Sequence, residues 1–469
     1  MTPDDSIAFA GVARQAEMLR AREVSSRELT ELYLGRIERL GPQLNAYRIV
    51  LGEKALAQAD EADRRLAAGE AAPMLGVPIA IKDTLDLRGE VTCLGTAAFD
   101  QPATEDAQLT ARLRSAGVVF LGKTNLPELA ICGFTETKTF GVTHNPWNLD
   151  RTTGGSSGGS GAAVAAGLAA GAHASDGAGS IRIPAAFCGL VGLKPTRGRI
   201  PFEPPEHWRG LSVNGAVTRT VADTALFLDV ATEGGGDPGG PEPPDRPFAE
   251  AARTAPDKLR IGVSTKALRA VAPPIVTDDV KGAIAEAETV FRSLGHSVEP
   301  RDPAFGLAGN NFVPRYLGGI HDDLKAVPHP DRLEARTRGF GRLGGLYPEW
   351  VLARAGRGAA KDAARIGRLW DEVDVVVTPT IGEPPVKIDR WRGKGALRTL
   401  IGMSRTYCFT PIWNHTGQPV AAVPMGFTDD GLPLSVSLIG RHGDEATLIS
   451  LAAQIEAERP WADRRPPIA

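Results

Sequence analysis

Gly154-Gly155-Ser156-Ser157-Gly158-Gly159-Ser160-Gly161 and Ser175-Asp176-Gly177-Ala178-Gly179-Ser180-Ile181-Arg182-Ile183-Pro184 are the two runs on which the reading of this chain turns. The first presents backbone N–H groups and hydroxyls ahead of an alanine-rich segment. It lacks the Lys-Ser/Thr ending of a P-loop and the spacing of a dinucleotide fingerprint. Through Gly154, Ser156 and Gly158 it matches the G-x-S-x-G nucleophile elbow, which needs a later acid and histidine; His415 and His442 are the histidines that reading would use. Taken alone it reads better as a flexible turn with no role. The second run sets small residues with free N–H groups immediately before Ser180, as an oxyanion hole beside a nucleophile requires, because successive donors in such a turn can converge on one developing negative oxygen. The bland alternative is a tight turn capped by Ser180.

Upstream, Gly76-Val77-Pro78-Ile79-Ala80-Ile81-Lys82-Asp83 is a short apolar run ending in charge, so Lys82 is expected at the end of a buried strand. Burial disfavours the ammonium form and draws lysine's reference pKa of about 10.4 toward the working range, where a neutral amine can take a proton from a serine. Farther out, Ser25-Ser26-Arg27-Glu28 has the form of a capping box and predicts a helix, followed by a strand over 45–51 and a helix over 53–68. Strands are predicted over 118–121, 259–263, 373–378, 420–427 and 434–439, and helices over 278–294 and 444–458. Strands alternating with helices indicate an α/β protein. Residues 232–247, with Gly234-Gly235-Gly236 and Pro241-Glu242-Pro243-Pro244, read as a linker. Residues 303–358 show weak periodicity and are assigned no element.

Composition narrows the function. A net charge of -3 without a long run of either sign leaves no basic footprint for nucleic acid. The 54 glycines and 36 prolines exceed the usual shares of about 7% and 5%, yet 42% apolar residues are enough for a globular core, so the glycines must gather in loops. Cys93, Cys132, Cys188 and Cys408 are too few and too scattered for a disulfide framework or paired zinc motif. With no signal-peptide pattern at Met1, reduced thiols and a cytoplasmic location are expected. Residues 152–175 lack Asp, Glu, Lys and Arg, but half are Gly and Ser and the rest mostly Ala; they read as a loop and a buried helix, not a membrane span.

From Gly154 to Pro195 the chain resembles the amidase signature family. The likeness is carried by both serine runs and by Cys188-Gly189-Leu190-Val191-Gly192-Leu193-Lys194-Pro195-Thr196; Lys82-Asp83, Gly122-Lys123-Thr124-Asn125, His144-Asn145-Pro146-Trp147 and Asn414-His415-Thr416-Gly417-Gln418-Pro419 extend it. The resemblance implies a large mixed twisted β-sheet flanked by helices on both faces. Residues 1–469 would form one unit: a signature core over 70–225, a linker-like loop over 231–258, and a C-terminal half, 259–469, completing sheet and pocket. It implies Ser180 as nucleophile, Ser156 as a bridging serine held by a cis peptide, and Lys82 as base, with an oxyanion hole from Gly177, Ala178 and Gly179. Cys132, Gly133 and Ser157 are the expected substrate contacts. No metal or other cofactor is called for; the partners are a small amide and water, with a homodimer left open.

Asp176 and Arg182 are expected to pair and fix the nucleophile loop, and His144 and His415 to be structural. Gly177-Ala178-Gly179 departs from the family's usual Thr-Gly-Gly and is similar to the form in cyclic amide hydrolases acting on nylon oligomers and in actinobacterial-type amidases. Pro433-Leu434-Ser435-Val436-Ser437 replaces the more usual Pro-Val-Gly-Val-Gln and is expected to reshape a pocket wall. Acyl and amine specificity are expected to reside in 201–210 and 303–347. Three other readings remain: a glutamine-dependent amidotransferase subunit, whose pattern residues 199–215 do not resemble, a Ser-His-Asp α/β-hydrolase with Ser156 as nucleophile, and a ligand-binding protein with a degenerate site, against which an intact Lys82, Ser156 and Ser180 argue.

Overall fold

The capping box at Ser25 forms as written. In the computed structural model, which describes residues 5–469, Ser25 Oγ accepts the Glu28 N–H at 3.1 Å and the Glu28 carboxylate accepts the Ser25 N–H at 2.8 Å, starting helix Ser26–Leu44. Beside it begins an eleven-stranded mixed sheet. In chain order its strands are β1 (Tyr47–Val50), β2 (Pro78–Lys82), β3 (Val119–Thr124), β4 (Gly171–Asp176), β5 (Val191–Lys194), β6 (Val213–Thr218), β7 (Arg260–Val263), β8 (Ser297–Pro300), β9 (Val375–Pro379), β10 (Val420–Phe427) and β11 (Pro433–Ile439). Across the sheet they run β1-β3-β2-β4-β6-β5-β10-β11-β9-β7-β8, with helices on both faces. β2 is parallel to β3 and β4, and β7 to β8 and β9, while the strands between are antiparallel. The C-terminal ends of β2 and β4 therefore lie side by side, which brings Lys82 beside Ser175.

One apolar core joins Ile79 and Ile81 of β2 to Val375 and Val377 of β9, Val436 and Leu438 of β11, and Leu448 of the last helix, Glu445–Glu458. Of the linker-like stretch, residues 233–247 form no helix or strand, while Thr232 ends helix Val221–Thr232 and Phe248–Ala251 is a short helix; the stretch nevertheless packs, the Asp237 N–H donating to Gly198 O at 2.9 Å and Arg199 reaching the Glu242 carbonyl.

Two segments differ from expectation. The alanine-rich run forms a helix only over Gly158–Ala165; Gly167, at φ +64, breaks it, and Gly171-Ala172-His173-Ala174-Ser175-Asp176 becomes β4, buried between β2 and β6. A short stretch of small residues buried on every side carries no period that separates helix from strand. Residues 303–358 hold helices Ala308–Lys325 and Ala335–Gly344 and most of Glu349–Gly367. The inward face of the first interrupts the apolar Phe312, Tyr316 and Ile320 with Gly318, Gly319 and the buried Arg315; a Cβ at Gly319 would lie 2.6 Å from the Trp208 backbone. Among the described residues no helix is long and apolar enough to cross a membrane.

Candidate active site

Lys82, the last residue of β2, is fully buried. Its Nζ donates to Ser156 Oγ at 2.7 Å, to Ser175 Oγ at 2.9 Å and to the Ser175 carbonyl at 3.4 Å. The adjacent Asp83 offers it nothing, because that carboxylate is taken by Lys123 at 2.9 Å and Arg48 at 3.0 Å. Burial therefore pulls the Lys82 amine down from 10.5 to about 7, the more distant negative charge of Asp176 restoring only part of the shift.

Ser156 follows a cis peptide from Gly155. A Cβ at Gly155 would stand 2.7 Å from Phe134 N and 2.8 Å from Cys132 O, so the loop at 132–134 can press against the serine run only because the residue is glycine.

Asp176 organises the second run. Its carboxylate pairs with Arg182 through Nε at 2.9 Å and Nη2 at 3.1 Å, both residues being buried, and accepts N–H groups from Gly179 at 2.5 Å and Ile181 at 3.2 Å. Asn414 Nδ2 donates to both the carboxylate and the carbonyl of Asp176, each at 2.9 Å. Burial pushes this acid up, but the Arg182 charge and these hydrogen bonds outweigh it and hold Asp176 at about 2. The loop then leads Ser180 into helix Arg182–Cys188. Ser180 Oγ makes no hydrogen bond with the described residues, and the N–H groups of Gly177, Ala178 and Ser180 donate to none of them.

Two cavities meet at Ser180, with Ala130 and Trp208 also lining both. The first is walled by Cys132, Gly133, Ala178, Phe312, Tyr316 and Tyr407. The second opens onto Ser156, Ser175, Gly177, His207, Ser212 and Asp323.

The profile of the amidase family matches residues 28–449. A Mycobacterium tuberculosis protein assigned as amidase AmiB2 is 49% identical over all of this chain and all of its own. The 6-aminohexanoate-cyclic-dimer hydrolase of Pseudomonas sp. strain NK87 is 34% identical, covering 96% of this chain and 95% of its own. The chain belongs to the amidase signature family. Among solved structures, a 6-aminohexanoate cyclic dimer hydrolase complexed with substrate superposes on this amidase with a TM-score of 0.89 at 31% identity, over 98% of this chain and 99% of that one. The amidase is thus an enzyme that hydrolyses amide bonds.

Against the sequence expectations, the structure gathers Lys82, Ser156, Ser180, Gly177 and Ala178 at one place and sets Cys132 and Gly133 on the wall of the first cavity. Burial raises the Cys132 thiol to about 12, so it presents a neutral surface. Ser157 is a correction: fully buried, it lines neither cavity and instead braces the loops, its N–H donating to Ser180 O at 3.3 Å and its hydroxyl to Ser175 O at 3.3 Å. The Gly179 N–H is likewise turned away, into Asp176. Ser435 and Ser437 reshape neither cavity wall; their hydroxyls meet Thr380 inside the sheet, each at 3.0 Å.

The Ser-His-Asp reading fails on geometry. His415 is held between Arg315 and Asp362, each at 3.0 Å, and is drawn down to about 4 by burial and by Arg315, while the Ser156 hydroxyl is engaged by Lys82. His442 lines neither cavity, and His144 is structural through the Leu149 carbonyl at 2.7 Å.

Sequence reading missed Ser175 and Asn414. The signal for Ser175 was its place one residue before Asp176, but only the β2–β4 pairing turns that place into contact with Lys82.

The Asp176–Arg182 pair sets a stability prediction. Arg182→Leu leaves a buried carboxylate without its cation, so unfolding free energy should fall by about 3–5 kcal/mol in a urea titration. A loss below about 1 kcal/mol would show that Asn414 and the backbone donors suffice without the guanidinium.

Proposed function

We propose that this amidase cleaves a carboxamide C–N bond through a Ser180 acyl-enzyme, with Ser156 carrying the proton between Ser180 and Lys82. Ser180 Oγ attacks the carbonyl carbon as its proton passes to Ser156 Oγ, whose own proton passes to the neutral Lys82 amine. The N–H groups of Gly177, Ala178 and Ser180 are the free donors for the tetrahedral oxyanion, while Gly179, bonded to Asp176, fixes the turn. The proton then returns through Ser156 to the leaving nitrogen, and water releases the acid by the same path in reverse. The observation that carries this reading is a buried amine without a carboxylate partner, 2.7 Å from a serine hydroxyl that shares a cavity with Ser180. The substrate is a small or medium amide, linear or cyclic. The test is peptide mapping by mass spectrometry after treatment with a fluorophosphonate: the adduct is expected on Ser180, and an adduct on Ser156 would overturn the assignment.

A pH prediction follows from Lys82. The active form is the neutral amine, so kcat/KM should rise with pH through an ionisation at about 7 and be lost below it. A profile flat from pH 5 to 8 would exclude the lysine as base.

A further inference from the structure

We propose that the amide cleaved here joins an apolar acyl group to an amine bearing a second, protonated nitrogen. The inference rests on the Ser180–Ser156–Lys82 reading and extends it to the substrate. The two cavities at Ser180 are separated by Trp208, whose position is tightly held. Its backbone is left-handed at φ +49, its Nε1 donates to Asp323 Oδ2 at 2.6 Å, and its ring meets Tyr316 edge-on at 5.3 Å between centroids. A Cβ at Gly177 would come within 2.6 Å of that ring, so the nucleophile loop and the dividing wall are fitted to each other.

Proton transfer decides which half of the substrate lies on which side. The leaving nitrogen must be reprotonated by Ser156, and Ser156 lines the second cavity but not the first. The amine half therefore lies in the second cavity and the acyl half in the first. No charged side chain lines the first, where Phe312, Tyr316, Met403 and Tyr407 form the wall; a charge on the acyl group would lose its water there and gain no partner.

The second cavity has the opposite character. Glu203 and Asp323 line it, and no lysine or arginine does among the described residues. His207 bridges the polar wall, its Nδ1 2.7 Å from Ser212 Oγ and its Nε2 3.3 Å from Asp323 Oδ1. The rings of Phe202, His207 and Trp208 stack in succession, with centroids 5.1 and 5.6 Å apart. An aromatic face next to carboxylates, in a recess that no described lysine or arginine lines, is the environment that attracts an alkylammonium.

The experiment holds the acyl group constant and changes only the amine. The probes are the N-benzoyl amides of 1,4-diaminobutane, butylamine and 4-aminobutanoate, which place a positive, no and a negative charge at the far end. Their kcat/KM values are expected in that order, with about a tenfold step from neutral to cationic. Glu203→Gln and, separately, Asp323→Asn should each compress the cationic-to-neutral ratio toward one; Glu203 is the cleaner probe, because Asp323 also anchors Trp208. Equal rates for all three amides, or a faster anionic one, would overturn the proposal while leaving the acyl-enzyme intact. No cleavage of any of them, with Ser180 still labelled by the fluorophosphonate, overturns the substrate class. An unlabelled Ser180 overturns the mechanism beneath it.

Discussion

Ser180→Ala is expected to lose turnover by a factor on the order of 10⁴ to 10⁶ in kcat while melting at the temperature of the parent protein. The two halves of that expectation have one structural cause. Ser180 Oγ is bonded to none of the described residues, so removing it takes nothing from the fold, and the Asp176 cluster that shapes the turn is built from other groups. Apolar ligand binding in the first cavity should survive as well, since Ser180 is one small element of a wall made by aromatic side chains. Steady-state kinetics together with differential scanning calorimetry checks both halves. Undiminished turnover in the variant removes Ser180 as nucleophile; lost turnover accompanied by a large fall in melting temperature would assign it a structural task instead.

What the sequence disclosed and what it hid divide along a physical line. Lys82, Ser156 and Ser180 stand in local patterns, an apolar strand ending in charge and two glycine runs, but each pattern alone fits a strand end or a turn equally, and their proposed roles come from the resemblance to the amidase signature family. The Asp176–Arg182 pair was legible because six residues across a turn keep both ends close. Ser175 was hidden because its contact with Lys82 depends on the parallel pairing of β2 and β4, a relation between segments far apart in the chain. The direction of a single N–H was equally hidden: that Gly179 turns into Asp176 while Gly177 and Ala178 do not is set by φ angles, which composition does not encode. The helix Ala308–Lys325 was obscured because its inward face interrupts Phe312, Tyr316 and Ile320 with Gly318, Gly319 and a buried Arg315, whereas Glu349–Gly367 does bury Leu352, Ala355, Ala359 and Ile366 at helical spacing and was passed over.

Lys82→Met should abolish hydrolysis by on the order of 10⁴-fold or more, and its stability should carry a second, independent signature. Methionine fills nearly the same buried volume without an amine, so the Ser156 hydroxyl loses its base while the strand end stays packed. In the parent protein the folded state holds Lys82 at about 7, whereas the unfolded chain titrates it near 10.5. Between those values the unfolded chain binds the proton that the native state does not. Lys82 therefore penalises folding in full below about pH 7, and the penalty disappears as pH rises past the unfolded value. The stability of Lys82→Met relative to the parent should accordingly decline by about 1 kcal/mol per pH unit between pH 7.5 and 9.5. Hydroxyls of Ser156 and Ser175 left without their donor shift that difference by a constant, which leaves its slope unchanged. Urea titrations across this range read the slope directly. A difference that stays the same at every pH would mean the amine keeps its proton in the folded protein, and a lysine that remains charged cannot accept one from Ser156.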